Sequence, residues 1–71
     1  MKYILRKERF GWQRYVVITP GLERGVNPIA VKDYDPGYWK ATRLDSLELA
    51  KQWAAKLTDR RGKIVILEVE N

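Results

Sequence analysis

Only one segment of this chain spaces its apolar residues like a helix. Leu47, Ala50, Trp53, Ala54 and Leu57 recur at steps of three and four, with Glu48, Lys51, Gln52 and Lys56 elsewhere on the wheel. The spacing predicts a helix over Asp45–Leu57. Asp45 and Glu48 stand at capping-box spacing, and Ser46 is the competing cap. Asp59-Arg60-Arg61-Gly62 ends the helix, with cations at its negative pole and glycine as the exit residue. The remaining ordered segments read as strands: Lys2–Lys7, Gln13–Thr19, Ile29–Tyr34, Tyr38–Arg43 and Lys63–Val69. One helix cannot cover both faces of a sheet. The expectation for residues 1–71 is therefore a single α+β domain. It has one antiparallel sheet of four to five strands, one helix packed on one face, and the order β-β-(β)-β-α-β.

Side-chain alternation divides the strands between the two faces. Tyr3 and Leu5 share a face and Ile4 takes the other. Val65, Leu67 and Val69 oppose Ile64 and Ile66. The first two strands form a hairpin with a loop of about five residues around Gly11. Pro20-Gly21 stops the second strand. Asp35-Pro36-Gly37 reads as the turn of a second hairpin, joining Ile29–Tyr34 to Tyr38–Arg43. Trp53, on the apolar helix face, is expected in the core.

The chemistry open to the chain is narrow. It has no Cys and no His, which removes thiolate chemistry, disulfides, the commonest zinc ligands and the usual general base. Asp33, Asp35 and Asp45 lack the ligand spacing of a calcium loop, and Asp is in any case common in turns. Glu23-Arg24-Gly25, within the irregular Pro20–Pro28 segment, lacks the glycine spacing and Lys-Ser/Thr ending of a phosphate-binding loop. The expectation is a protein that is not an enzyme and uses no metal and no cofactor. No apolar run approaches the ~18 residues of a membrane span, and the start is too short in apolar residues for a signal peptide. The setting expected is the cytoplasm, with no membrane partner.

Charge and aromatic content point instead to binding. Net charge is +5, and it is unevenly placed. Residues 1–20 carry five cations against one anion, residues 21–43 four against three, and residues 44–71 five against five. The N-terminal hairpin holds Arg6, Lys7, Arg9 and Arg14 beside Trp12, and Trp39 is a further aromatic next to a turn. Guanidinium forks suit phosphate and flat rings stack on bases, while the same residue types dominate protein–protein contacts. Arg6, Lys7, Arg9, Trp12, Arg14 and Trp39 are the candidate partner-binding residues.

The stretch Thr42-Arg43-Leu44-Asp45-Ser46-Leu47-Glu48-Leu49-Ala50, followed by Trp53, resembles the strand-to-helix junction of small phage and prophage accessory proteins, anti-CRISPR proteins among them. The resemblance covers residues 38–57. It implies a domain without catalytic residues that works by occupying a surface of a host enzyme. A similar junction occurs in three-strands-plus-helix DNA-binding domains, of AP2 type and of integrase arm-binding type. That likeness implies Arg14, Lys40 and Arg43 facing DNA from the sheet, although the strand Lys63–Val69 after the helix departs from that pattern. The first reading is a non-catalytic module that binds and inhibits or modulates a host protein, such as a host defence or nucleic-acid-handling enzyme. The net charge of +5 argues against mimicry of DNA, which needs an acidic surface. The alternatives are direct binding of DNA or RNA through the basic hairpin, and a structural protein whose sheet edge pairs with a second copy as a homodimer.

Overall fold

The computed structural model describes residues 1–69. It contains one four-stranded antiparallel sheet and one helix: β1 (Lys2–Arg9), β2 (Trp12–Ile18), β3 (Val31–Asp35), α1 (Leu47–Leu57) and β4 (Lys63–Val69). The strand order is β3-β2-β1-β4, so β1 and β2 are central and the last strand returns beside the first. This is the expected α+β architecture, with four strands, the lower of the two numbers expected.

The helix lies across one face. Leu5, Val16, Ile18 and Leu44 pack with Ala50, Trp53 and Leu57 from α1, and Ile64 and Ile66 extend the cluster. Trp53 is fully buried, and its indole N–H donates to the Glu23 carbonyl at 2.6 Å. That bond ties the irregular Pro20–Pro28 segment to the helix. Ser46 is the cap, its hydroxyl accepting the Leu49 N–H at 3.1 Å. Asp45 instead forms ion pairs with Lys2 and Arg24.

The β1–β2 hairpin is tighter than its sequence suggests. Arg9 pairs with Trp12, leaving a two-residue loop rather than one of about five. Phe10 and Gly11 have φ of +43° and +79°, the type I′ geometry that matches strand twist. Glycine adopts that conformation freely. Phenylalanine does so at a cost of about 1–2 kcal/mol.

The second hairpin does not form. β3 pairs with β2 instead, in a register from Tyr15↔Asp35 to Ile18↔Val31, and Pro28–Ala30 before it is a single 3-10 turn. Tyr38–Lys40 is another 3-10 turn, not the start of a strand through Arg43. Three local contacts explain this. The Asp35 carboxylate accepts the Gly37 N–H at 2.8 Å and curls the chain. Lys40 pairs with the same carboxylate at 3.6 Å. The Tyr38 ring stands edge-on to Tyr15 with centroids 6.4 Å apart. Tyr15 alternates with the core residue Val16, so Tyr38 lies on the sheet face opposite the helix.

From Tyr38 the chain must still reach α1 on the other face. It passes between the two central strands. β1 and β2 pair only from Arg6↔Tyr15 to the turn. Beyond that they splay apart, and residues 42–44 fill the gap. Thr42 N–H donates to Val16 O at 3.1 Å, and Ile18 N–H donates to Thr42 Oγ1 at 2.7 Å. Leu44 and Tyr3 exchange both backbone bonds, at 2.7 and 2.9 Å. Backbone groups that the splayed strands would leave unpaired are thus satisfied by the crossing segment. Ile4 and Ala41 are buried outside the helix-side cluster, and Leu44 is buried within it.

Thr42 is therefore the residue whose side chain stands in for a missing strand bond. Thr42→Val should keep the volume but strand the Ile18 N–H, lowering unfolding stability by about 1–3 kcal/mol in a denaturant titration. Thr42→Ser should recover most of that loss.

Candidate functional site

The turn between α1 and β4 assembles a site with the tip of the first hairpin. Asp59 ties the four-residue turn 59–62 to itself. Its carboxylate accepts the N–H groups of Arg61 at 2.8 Å and Gly62 at 3.1 Å, and its own N–H donates to Gly62 O at 3.0 Å. The turn rests directly on β1, because a Cβ at position 62 would stand 2.8 Å from the Glu8 carbonyl oxygen. Lys7 pins it from the side, its ammonium 3.3 Å from the Asp59 carboxylate and 5.3 Å from the Tyr34 ring centroid. Arg60 and Arg61 are exposed beside the hairpin tip.

A cleft of about 570 Å³ lies between the turn and the tip, bordered by Arg9, Trp12, Arg60, Arg61 and Lys63. Phe10 stands at its end and is 95% exposed. Arg9 lies 5.8 Å from the Phe10 ring centroid and Arg14 5.4 Å from that of Trp12. Two carboxylates also line the cleft, and both are engaged, Glu8 by Arg6 and Asp59 by Lys7. Among the described residues, Arg9, Arg14, Arg60, Arg61 and Lys63 form no ion pair with a carboxylate. Arg9, Arg60, Arg61 and Lys63 line the cleft, so an anion entering it meets cations that no carboxylate already holds.

The six residues singled out in the sequence separate into three groups. Arg9, Trp12 and Arg14 lie together at the tip. Lys7 points the same way but is committed to Asp59, with only 14% of its side chain exposed. Arg6 and Trp39 lie on the opposite face of the sheet. Arg6 is held by Tyr15 and Glu8, which raise its pKa further above its ordinary value. Trp39 covers Gly37 and meets Tyr38 at 5.7 Å between ring centroids. Arg14, Lys40 and Arg43 do not share a sheet surface as the DNA-binding likeness implied. Arg14 points to the helix side, Lys40 sits in the 3-10 turn on the other, and Arg43 belongs to the crossing segment.

Phe10, Arg60, Arg61 and Lys63 were not singled out in the sequence. The signal for the first is a bulky residue before Gly11 in a loop of two. For the others it is the dibasic pair inside Asp59–Gly62, legible only once that turn is known to fold back onto β1. Asp33, Asp35 and Asp45 do not converge on one point. Asp33 accepts the Tyr34 N–H, Asp35 closes the turn at Gly37, and Asp45 pairs with Lys2 and Arg24. Among the described residues, no three acidic side chains are grouped as a metal ion would require. No described helix is long and apolar enough to cross a membrane. The chain matches no known protein-family model, no curated protein and no solved structure.

Two measurements test this geometry. Phe10→Asn places at position 10 a residue suited to positive φ and should raise the midpoint of denaturant unfolding, by about 1 kcal/mol in stability. The second is acid sensitivity. The Arg61 N–H, with help from Lys7, holds the Asp59 carboxyl below its ordinary pKa, and Lys2 does the same for Asp45. A carboxyl whose folded pKa is depressed contributes stability that is complete above its unfolded value of about 3.9 and is lost as pH falls through the lower folded value. Melting temperature should fall below about pH 4, and Asp59→Asn should reduce that dependence.

Proposed function

We propose that this chain is a non-catalytic binding module that engages nucleic acid through the end formed by the hairpin tip and the turn 59–62. One observation carries the reading. Four cations without carboxylate partners among the described residues, Arg9, Arg60, Arg61 and Lys63, line a cleft beside two exposed aromatic rings, and a fifth, Arg14, lies against the Trp12 ring. Cations in that state keep all their donors for an incoming polyanion, and phosphate is the anion that guanidinium groups match in shape as well as charge. The lack of Cys and His supports a role without catalysis, as does the engagement of Asp33, Asp35 and Asp45 in local bonds. A cytoplasmic setting, where nucleic acid is within reach, fits this reading.

The second reading is inhibition of a protein partner, in the manner of the phage accessory proteins that residues 38–57 resemble. It is favoured by the composition of the tip. Arg and Trp are the residue types that concentrate binding energy at protein interfaces, and Phe10 is offered at a protruding corner. A difference in the resembling stretch weighs against it. The strand supposed before the helix is here a 3-10 turn and a crossing segment.

Salt dependence decides between the two. Binding to labelled oligonucleotides should weaken steeply as salt rises, with log affinity falling by about 0.7–0.9 per phosphate contact for each unit of log salt. Replacing Arg60, Arg61 and Lys63 with Gln should flatten the slope by about three contacts, because their side chains are free of structural ion pairs. Absence of salt-sensitive binding to any oligonucleotide would transfer the proposal to a protein partner.

A further inference from the structure

We infer that the nucleic acid taken at this end is single-stranded, with an unpaired base stacked on Phe10 and its flanking phosphates in the cleft beside Arg60 and Arg61. This rests on the nucleic-acid reading above and deepens it. Phe10 is held at positive φ, a conformation strained for its side chain. A type I′ turn wants Asn, Asp or Gly at its first position, and a bulky aromatic there is disfavoured. The ring gives the fold nothing back in burial, since it is 95% exposed. A residue that costs backbone energy and contributes no packing is best explained by what it presents to a ligand.

What it presents is one face of an aromatic platform. A hollow of about 310 Å³ is framed by Arg9, Phe10 and Trp12, and it adjoins the larger cationic cleft. Rings with cations alternating beside them are the pattern by which proteins hold bases and phosphates of one strand together. A paired duplex offers its phosphates but keeps its base faces stacked, so it would leave Phe10 without a partner. An acidic protein surface would satisfy the cations and make no use of a flat ring projecting at the corner of a turn. The neighbouring surfaces do not compete for this strand. The apolar hollow near Leu22 and Ile29 has no cation among its lining residues, and Lys40 beside Trp39 is paired with Asp35.

The test uses the full chain and three fluorescent probes: a twelve-nucleotide oligothymidylate, a twelve-base-pair duplex, and poly-L-glutamate. Anisotropy titrations at low and physiological salt are expected to show the single strand bound at least tenfold more tightly than the duplex or the polyglutamate. Phe10→Asn, which the turn geometry marks as at least as stable as the parent, should weaken the single strand about tenfold and change duplex binding less than twofold. Arg60→Gln with Arg61→Gln should weaken both oligonucleotides and flatten the salt dependence. Trp12 emission should be quenched on addition of the single strand, and Trp12→Phe should abolish that change. Equal affinity for strand and duplex, or an unchanged single-strand affinity in Phe10→Asn, would overturn the stacking inference while the nucleic-acid reading stands. Failure of both oligonucleotides to bind, or polyglutamate binding as tightly as either, would overturn both.

Discussion

The hydrogen bonds made by residues 42–44 in the gap between β1 and β2 are what the rest of this structure depends on. A sheet whose central strands paired along their whole length would have no opening. The chain would then have to pass around an edge to bring α1 onto its face. Instead the strands pair for half their length near the turn and separate beyond it. Thr42 and Leu44 then supply the missing partners, one partly through a side-chain hydroxyl and the other through a reciprocal backbone pair with Tyr3. The same route places Leu44 in the helix-side core and leaves Ala41 buried on the other.

That crossing governs where the charged side chains end up. It delivers the helix so that its C-terminal end lies toward the hairpin tip. The turn that follows can then fold back against Lys7 and Glu8. Asp59 is engaged by Lys7 in this docking and Glu8 by Arg6 within its own strand, while Arg9, Arg14, Arg60, Arg61 and Lys63 have no carboxylate partner among the described residues. An excess of positive charge that is modest over the whole chain becomes concentrated at one end because the structural ion pairs use up the carboxylates there. Cations from residues 1–20 and 59–63, far apart in sequence, become a single surface.

The tip also shows how stability and binding are traded against each other. Tight pairing of Arg9 with Trp12 forces positive φ on both loop residues, which Gly11 meets freely and Phe10 does not. A small domain has little stability in reserve, of order 5–15 kcal/mol at most, so a strained and unpacked ring is a significant cost. At the opposite end of the scale is Trp53, whose ring is wholly buried and whose single polar atom is bonded to the Glu23 carbonyl. The same class of side chain serves as core in one place and as exposed surface in the other.

Periodicity and residue type in the sequence were enough to mark the helix, the segments of the four strands with Tyr38–Arg43 as a fifth that does not form, the separation of Tyr3 and Leu5 from Ile4 and of Ile64 and Ile66 from Val65 and Leu67, and the burial of Trp53; which of the two faces the helix covers was decided by the tertiary structure. These follow from local rules, apolar spacing of three and four and alternation of two, whereas the choice of Ser46 over Asp45 as the helix cap came from the structure. The sequence also marked Arg6, Lys7, Arg9, Trp12 and Arg14 on the first hairpin, of which the structure keeps Arg9, Trp12 and Arg14 together at the tip without carboxylate partners among the described residues. Tertiary structure alone decided that Tyr38–Arg43 is not a strand, since its neighbours Asp35 and Tyr15 and the need to cross the sheet outweigh its local β propensity. It alone decided that Arg6 and Lys7 are held in ion pairs, and that Arg60, Arg61 and Lys63 stand beside the hairpin. The physical reason is the same in each case. Periodicity reports which side of its own element a residue faces, whereas ion pairing and the closing of a cleft depend on which distant segment arrives opposite, and that is fixed by the packing of the whole chain.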